Sequence, residues 1–450
     1  MGERLVVIGG DAGGMGAAST ARRLRSDLDI VALEKSEYTS YSACGIPYLI
    51  GGEVARVDEL VARTPQEFRN QYRIDVRLRH EALGIDLDRR EVEVRDHEHG
   101  RTIRLGFDQL VIGTGARPRR PDLPGIDGPD IYGVQTLDDG ARLLQRITDT
   151  PVQKVVVVGG GYIGLEMAEA FVRRGAAVTV VERGPQVMRT LDDDMGALVS
   201  RAMRRHGIEV RCGTETLGFE PGVVHTSGGD LPADLVVLGL GVEPNSGLAG
   251  DAGIELGVRG AIHVDRRQHT SAEGVWAAGD CAESFHLVSG RPVHVALGTV
   301  ANKHARVAGT NIGGGYATFP GVVGTAVSKI CDTEVARTGL TEAEATRAGF
   351  EFHVAKIDAT TRAGYYPGAA PITVKMLAER RSGRLLGAQL VGQEGAAKRI
   401  DVVAVALHAR MDVEQMTALD LSYAPPFSPV WDPILVAARQ AAGLVAKGER

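Results

Sequence analysis

Short apolar runs that break into glycine-rich turns set the pattern of this chain. Arg4 to Gly10 reads as a buried parallel strand, Ala17 to Leu24 as the helix after it, and Ile30 to Glu34 as a second strand. The same order returns in a strand at Lys154 to Val158, a helix through Arg174 and a strand from Ala177 to Glu182. Asp108 to Ala116, Asp234 to Leu240 and Gly274 to Asp280 are further apolar strands that end in turns, and Val295 to Ala308 reads as helical. Residues 51 to 106 are mixed, with helix or loop at Glu53 to Tyr72 and an edge strand at Glu91 to Arg95. Beyond Phe319 the pattern changes. Thr325 to Lys329, Val335 to Gly339, Phe352 to Ile357, Ile372 to Leu377 and Leu385 to Val391 read as strands. Thr341 to Ala348, with Thr341 as its cap, and Gly395 to His408 read as helices.

This order predicts an α/β protein of two Rossmann-like nucleotide-binding domains followed by a C-terminal α+β domain. The expected boundaries are 1–116 with 247–319 for the first domain and 117–246 for the second, with 320–450 for the third. The Pro-rich segment Arg117 to Gly125 reads as a crossing between domains that cannot continue a sheet. With 58 glycines and 5 % aromatics, composition suits tight strand-to-helix turns and argues against an all-β sandwich. A net charge of −6 makes nucleic acid an unsuitable general partner. The four cysteines, Cys44, Cys212, Cys281 and Cys331, form no CxxC pair, so neither a zinc knuckle nor a dithiol centre is expected, and no metal site is assigned. The chain enters a strand almost at once and has no apolar run of membrane-spanning length. A soluble cytoplasmic protein with no membrane partner is the expectation.

Chemistry concentrates at two turns and one cysteine. The first turn, Gly9-x-Asp11-x-x-Gly14, departs from the dinucleotide fingerprint at its second position, where Asp11 would repel a phosphate unless it points away. Glu34, at the end of the next strand, is placed for ribose hydroxyls. The second turn, Gly159-x-Gly161-x-x-Gly164, is a clean match. The strand after it ends in Glu182, an acid that favours NADH, while the adjacent Arg183 could instead meet the 2′-phosphate of NADPH. Glu166 reads as lying in the first turn of the following helix, either as a simple helix-end charge or facing a flavin edge. Asp280 is a candidate for ribityl hydroxyls, and the helix start at Gly298 and Thr299 is placed to aim N–H groups at a flavin pyrimidine ring. Cys281 reads as a buried neighbour. Cys44, central in TSYSACGIPY, reads either as a small buried hydrophobe or as a thiol at a helix start whose N–H groups lower its pKa.

These two fingerprints, IGTGA around Thr114, WAAGD ending at Asp280 and SYSACGIPY together resemble the flavoprotein pyridine nucleotide–disulfide reductases. The cysteine motif is similar to the single-cysteine branch, which holds coenzyme A disulfide reductases, coenzyme A persulfide reductases and NADH oxidases. The resemblance implies bound FAD, NADH or NADPH as donor, and a homodimer with shared active sites. It implies that Cys44 forms a mixed disulfide with coenzyme A or another small thiol, and that Tyr365 and Tyr423 reach this cysteine from the partner subunit. Arg22, Ser40 and Ser42 are then the substrate-binding candidates. Three departures are visible: Ala43 stands where some coenzyme A disulfide reductases have asparagine, Asp11 replaces a small residue, and Ala12 stands where related peroxidases carry histidine. The last argues against efficient peroxide or four-electron oxygen chemistry. The expected activity is NAD(P)H-dependent reduction of a disulfide or persulfide; an NADH oxidase and a slow FAD/NAD(H) redox sensor remain as alternatives.

Overall fold

The structure is a computed structural model describing residues 2–448. Its first sheet has five parallel strands in the order Val275–Ala277, Gln109–Ile112, Arg4–Ile8, Asp29–Leu33, Asp75–Arg77. The central run is fully buried at Leu5, Val6 and Val7, as a parallel strand covered on both faces requires. One cover is the helix Ala12–Leu24, which packs against the helix Gly298–Ile312. The approach is close: a side chain at Gly309 would begin 2.4 Å from the Ala17 carbonyl oxygen. The N-terminal helix starts five residues before the expected Ala17 because its glycine-rich first turns, poor in intrinsic propensity, continue directly from the fingerprint turn.

A second sheet repeats the plan with five parallel strands, Glu209–Cys212, Ala177–Glu182, Lys154–Val158, Leu235–Leu238 and Ile131–Gly133. Two expectations need correction. Glu91–Asp96 is the centre of a three-stranded antiparallel sheet, not an edge, because Val92 and Val94 are buried on its one apolar face. The Pro-rich crossing does contribute a strand: Ala116–Pro118 pairs with Val242–Pro244 where the chain leaves and returns. A two-stranded ribbon has free edges, and those edges tolerate proline.

The third sheet is antiparallel, in the order Ala326–Ile330, Thr333–Gly339, Leu385–Gly392, Pro371–Glu379, Phe352–Thr360. The helix Pro433–Gly448 covers the adjacent strands Pro371–Glu379 and Phe352–Thr360. Thr341 caps the helix Glu342–Ala348 in a capping box with Glu344, as its sequence suggests.

One core cluster runs through all three parts. Ile46, Leu49 and Ile50, just past Cys44, pack with Leu165, Met167 and Phe171 of the second unit and with Ile330, Val335 and Val391 of the third. A polar cluster joins the second and third units elsewhere. Lys375 is 3 % exposed and bonds Asp192 at 3.1 Å, Asp194 at 2.7 Å and Glu342. Burial opposes its charge, yet the three carboxylates outweigh it and hold its pKa above the ordinary lysine value. These carboxylates have metal-ligand spacing, but the Lys375 ammonium already bonds all three.

Replacing Lys375 by alanine would strand that cluster. We expect Lys375→Ala to destabilise the protein by about 3–5 kcal/mol, read as a lowered urea midpoint for loss of near-ultraviolet circular dichroism. A loss below about 1 kcal/mol, the range of exposed ion pairs, would show that the cluster is solvated.

Candidate active site

Both glycine turns are built alike. Gly9 and Gly159 have positive φ, 114° and 104°, and a Cβ there would lie 2.1 Å from the Gly113 oxygen and 2.4 Å from the Gly239 oxygen. At Gly14 and Gly164 a Cβ would fall 2.0 and 2.1 Å from the carbonyl oxygens of Gly9 and Gly159. Only glycine lets each helix sit this close to its strand, and the helix N-terminus is then open to a pyrophosphate. Gly161 starts the second helix as its N-cap.

The strand-end acids also match. Glu34 accepts from the N–H groups of Gly10 at 2.7 Å and Ser36 at 2.8 Å. Glu182 accepts from Gly160 at 2.9 Å and Gly184 at 2.6 Å. Each oxygen keeps a lone pair for a ribose hydroxyl.

Asp11 does point away from the phosphate position. Its carboxylate accepts from the Tyr41 N–H at 3.2 Å, and beside it Gly10 accepts the Thr39 hydroxyl at 2.5 Å and the Ser40 N–H at 2.8 Å. The fingerprint turn therefore holds the cysteine-bearing stretch directly. This role of Asp11 was missed from sequence, where the only signal was a misfit residue. Burial, with Glu34 adding to it, pushes the Asp11 pKa up to about 6 against two backbone hydrogen bonds.

Cys44 lies in a short 3-10 turn, Ala43–Gly45, ahead of the helix Ile46–Gly51. It is solvent-accessible, and the expectation of a lowered pKa fails. Partial burial of the thiol raises the pKa, with Glu166, Asp280 and Asp11 adding negative charge; the cysteine's own N–H opposes this but does not overcome it. Glu166 lies past the first turn of the helix Tyr162–Arg173, which holds no acid, so the helix-end reading is wrong. Its carboxylate accepts from the Ser328 hydroxyl at 2.8 Å, and burial raises its pKa. Asp280 is pushed up to about 6 by burial and then by Asp11. Among the described residues its carboxylate has no hydrogen-bond partner. An unpartnered acid beside the first glycine turn fits the hydroxyls of a ribityl chain, and the exposed Thr299 at the start of Gly298–Ile312 fits the ring's acceptor edge. The first turn thus suits a flavin dinucleotide and the second a dinucleotide donor.

The remaining candidates are distributed as follows. Ser40 and Ser42 flank the loop with side chains that make no hydrogen bond among the described residues; Ser40 has φ +49°. Arg22 is 8 % exposed, and its guanidinium donates to the carbonyls of Ser26 at 2.8 Å and Arg73 at 2.9 Å. Its two terminal nitrogens tie the helix end to a loop, while its Nε has no partner among the described residues. Tyr365 and Tyr423 meet each other: the Tyr365 hydroxyl donates toward Tyr423, which raises the Tyr365 pKa. They are 78 % and 47 % exposed within one chain. Arg399, which sequence reasoning passed over, braces both tyrosine loops by bonding Asp432 at 2.9 Å and the carbonyls of Thr361 at 2.8 Å and Phe427 at 2.7 Å.

Comparison with known proteins agrees with this arrangement. Residues 3–305 match the pyridine nucleotide-disulphide oxidoreductase family, and residues 325–433 match its dimerisation domain. The chain belongs to this family. It is therefore an oxidoreductase with FAD as prosthetic group and NAD(P)H as donor. It is 39 % identical over 442 residues to the NAD(P)H sulfur oxidoreductase (CoA-dependent) of Pyrococcus furiosus, covering 97 % of this chain and 98 % of that one. The structure of reduced Bacillus anthracis CoADR-RHD superposes with a TM-score of 0.97 at 33 % identity, over 99 % of this chain and 81 % of that one. An NAD-dependent persulfide reductase from A. fulgidus gives 0.95 at 39 % identity, over 98 % and 83 %. No helix among the described residues is long and apolar enough to cross a membrane.

Glu166 supplies a direct check on the cleft's electrostatics. Removing its charge should lower the Cys44 pKa, so Glu166→Gln should raise the iodoacetamide rate at pH 7 by roughly 2–5-fold, the effect of a few tenths of a pKa unit. A rate profile across pH with an unmoved midpoint would separate Glu166 from the thiol.

Proposed function

We propose that this protein is an NAD(P)H-dependent reductase that cleaves the sulfur–sulfur bond of coenzyme A disulfide or persulfide at Cys44, in a homodimer with shared sites. The observation that carries this reading is one solvent-accessible thiol, held by the first nucleotide turn and electrostatically linked to the helix of the second. The coenzyme A- and persulfide-directed names of the similar proteins support the substrate class.

Bound at the first turn, FAD would supply the two-electron transfer from the nicotinamide donor that returns the mixed disulfide on Cys44 to two thiols. The chain's own residues do the rest. Gly9, Gly14 and Glu34 seat one nucleotide, and Gly159, Gly161, Gly164 and Glu182 seat the other. The Cys44 sulfur attacks one sulfur of the substrate, the other leaves as a thiolate, and a mixed disulfide remains on Cys44. Because the surrounding carboxylates oppose ionisation of Cys44, donors toward its sulfur have most to contribute. Tyr365 and Tyr423 of the partner subunit are assigned that role: their hydroxyls are exposed and paired, and they lie in the region matched by the dimerisation domain. Ser40 and Ser42 offer free hydroxyls to the thiol substrate beside the cysteine.

Three experiments test this. Cys44→Ser should lower turnover of coenzyme A disulfide by about a thousandfold or more in stopped-flow, while NADH still bleaches the flavin; undiminished turnover removes Cys44 from the mechanism. An oxygen rate exceeding disulfide and persulfide turnover under saturating NADH would make the protein an oxidase instead. For the shared site, Cys44→Ser and Tyr423→Phe subunits are mixed. The Tyr423→Phe homodimer should be impaired, and the mixed dimer should recover roughly half the wild-type sites, as two-fold symmetry requires. Confirmed exchange without recovery would place the tyrosines in their own subunit's site.

A further inference from the structure

Asp11 stands at the N-cap of the helix Ala12–Leu24 and makes no capping bond. An aspartate there ordinarily accepts from the N–H groups of the first helical turn. This one turns away and takes the Tyr41 N–H at 3.2 Å instead. The loop it reaches leads to Cys44, and that loop is strapped on both sides. Gly10 accepts the Thr39 hydroxyl at 2.5 Å and the Ser40 N–H at 2.8 Å. On the far side the Ser40 carbonyl accepts from the Ala62 N–H at 2.7 Å, and Ser42 donates its N–H to Leu60 at 2.8 Å. Ser40 has φ +49°, a left-handed conformation that a serine keeps only where its surroundings impose it.

The second glycine turn is an internal control. Six residues after Glu182, as Ser40 is after Glu34, Met188 has φ +54° and donates to the Gly160 carbonyl at 2.7 Å. The two loops therefore match at this point, with Gly161 opposite Asp11 and Arg189 opposite Tyr41. Gly161 is likewise an N-cap but has no side chain to offer, and the Arg189 N–H makes no hydrogen bond among the described residues. Turn and loop thus form without a carboxylate. What Asp11 adds is confined to the unit whose loop carries the thiol.

We propose that Asp11 is a positioning residue for the reaction at Cys44: its ionised carboxylate locks the thiol-bearing loop onto the flavin turn, and a proton on it releases that lock. This rests on the reading of Cys44 as the reacting sulfur. A neutral acid is a weaker acceptor than a carboxylate, so the bond to Tyr41 is strong when Asp11 is ionised and weakens as pH falls. Burial, with Glu34 adding to it, pushes Asp11 up to about 6, which places the change in mildly acid solution. The titratable groups around it are Glu34, Asp280, Tyr41 and Cys44, none of them a cation that would keep Asp11 charged as pH falls.

The test sets Asp11→Ala, which removes acceptor and charge, beside Asp11→Asn, which removes the charge and keeps an acceptor oxygen. In the FAD-loaded enzyme, Asp11→Ala should lower kcat for coenzyme A disulfide by about 10–100-fold, the range for a displaced reacting group, with KM for NADH unchanged. Asp11→Asn should recover part of that loss. Both should lower the midpoint of the Cys44 iodoacetamide profile, since both remove a negative charge beside the thiol. Charge alone therefore cannot produce a difference in turnover between them. Amide hydrogen exchange reads the lock without turnover. The wild-type peptide spanning Tyr41 should be protected about tenfold more than that of Asp11→Asn at pH 8, the effect of one charge-assisted hydrogen bond, and should match it at pH 5. An unaltered kcat in Asp11→Ala, an equal loss in Asp11→Asn, or protection that is the same in wild type and Asp11→Asn at both pH values would each overturn the lock. Should Asp11→Ala shed its FAD, the exchange of wild type against Asp11→Asn decides. If Cys44→Ser turns over undiminished while exchange behaves as stated, the lock stands and only the reaction assigned to Cys44 falls.

Discussion

Burial of the short helix Ile46–Gly51 against the helix Tyr162–Arg173 is the contact on which the site depends. Ile46 and Leu49 are 1 % exposed and Ile50 is 0 %, and Arg174 donates to the Ile50 carbonyl. Each fully buried aliphatic side chain contributes roughly 1.5–3 kcal/mol, enough to keep a six-residue helix that would not form alone in water. The same helix begins one residue after the turn carrying Cys44. Packing between two nucleotide units therefore also fixes where the reactive sulfur sits. The end of the strand Ala326–Ile330 closes the arrangement from the third unit, Ser328 through Glu166 and Cys331 through Glu169, which accepts from the Cys331 N–H at 2.8 Å.

That arrangement crowds acids around the thiol. Glu166, Asp280 and Asp11 come from three separated stretches, and each raises the cost of charge on Cys44. Besides burial, Asp11 raises Asp280 and is itself raised by Glu34, as like charges in a partly buried cleft do. Part of this cost is the counterpart of structure, since Asp11 uses its carboxylate to hold Tyr41. A site of this kind favours donors that arrive with the cofactor or the second subunit. In the third unit, Arg399 braces the two loops that expose Tyr365 and Tyr423, and Phe427 beside them is 74 % exposed. Apolar surface of that size is unfavourable in water and suits a subunit contact.

Much of this was determined by sequence alone. The α/β order, both glycine turns, their strand-end acids, the isolated Cys44 and the change of pattern after Phe319 follow from local periodicity and from conformations only glycine adopts. The family resemblance rests on the same residues. What sequence could not decide were quantities that sum over distant groups. The Cys44 pKa shift is set first by burial and then by carboxylates up to 236 positions away, at Asp280, while a helix-start argument sees only neighbours. Arg22 was visible as a charge, but the carbonyls that take its terminal nitrogens, at Ser26 and Arg73, were not. Local patterns determine elements and turns because their causes are local; charge, hydrogen-bond partners and exposure are decided by the packing that brings separate elements together.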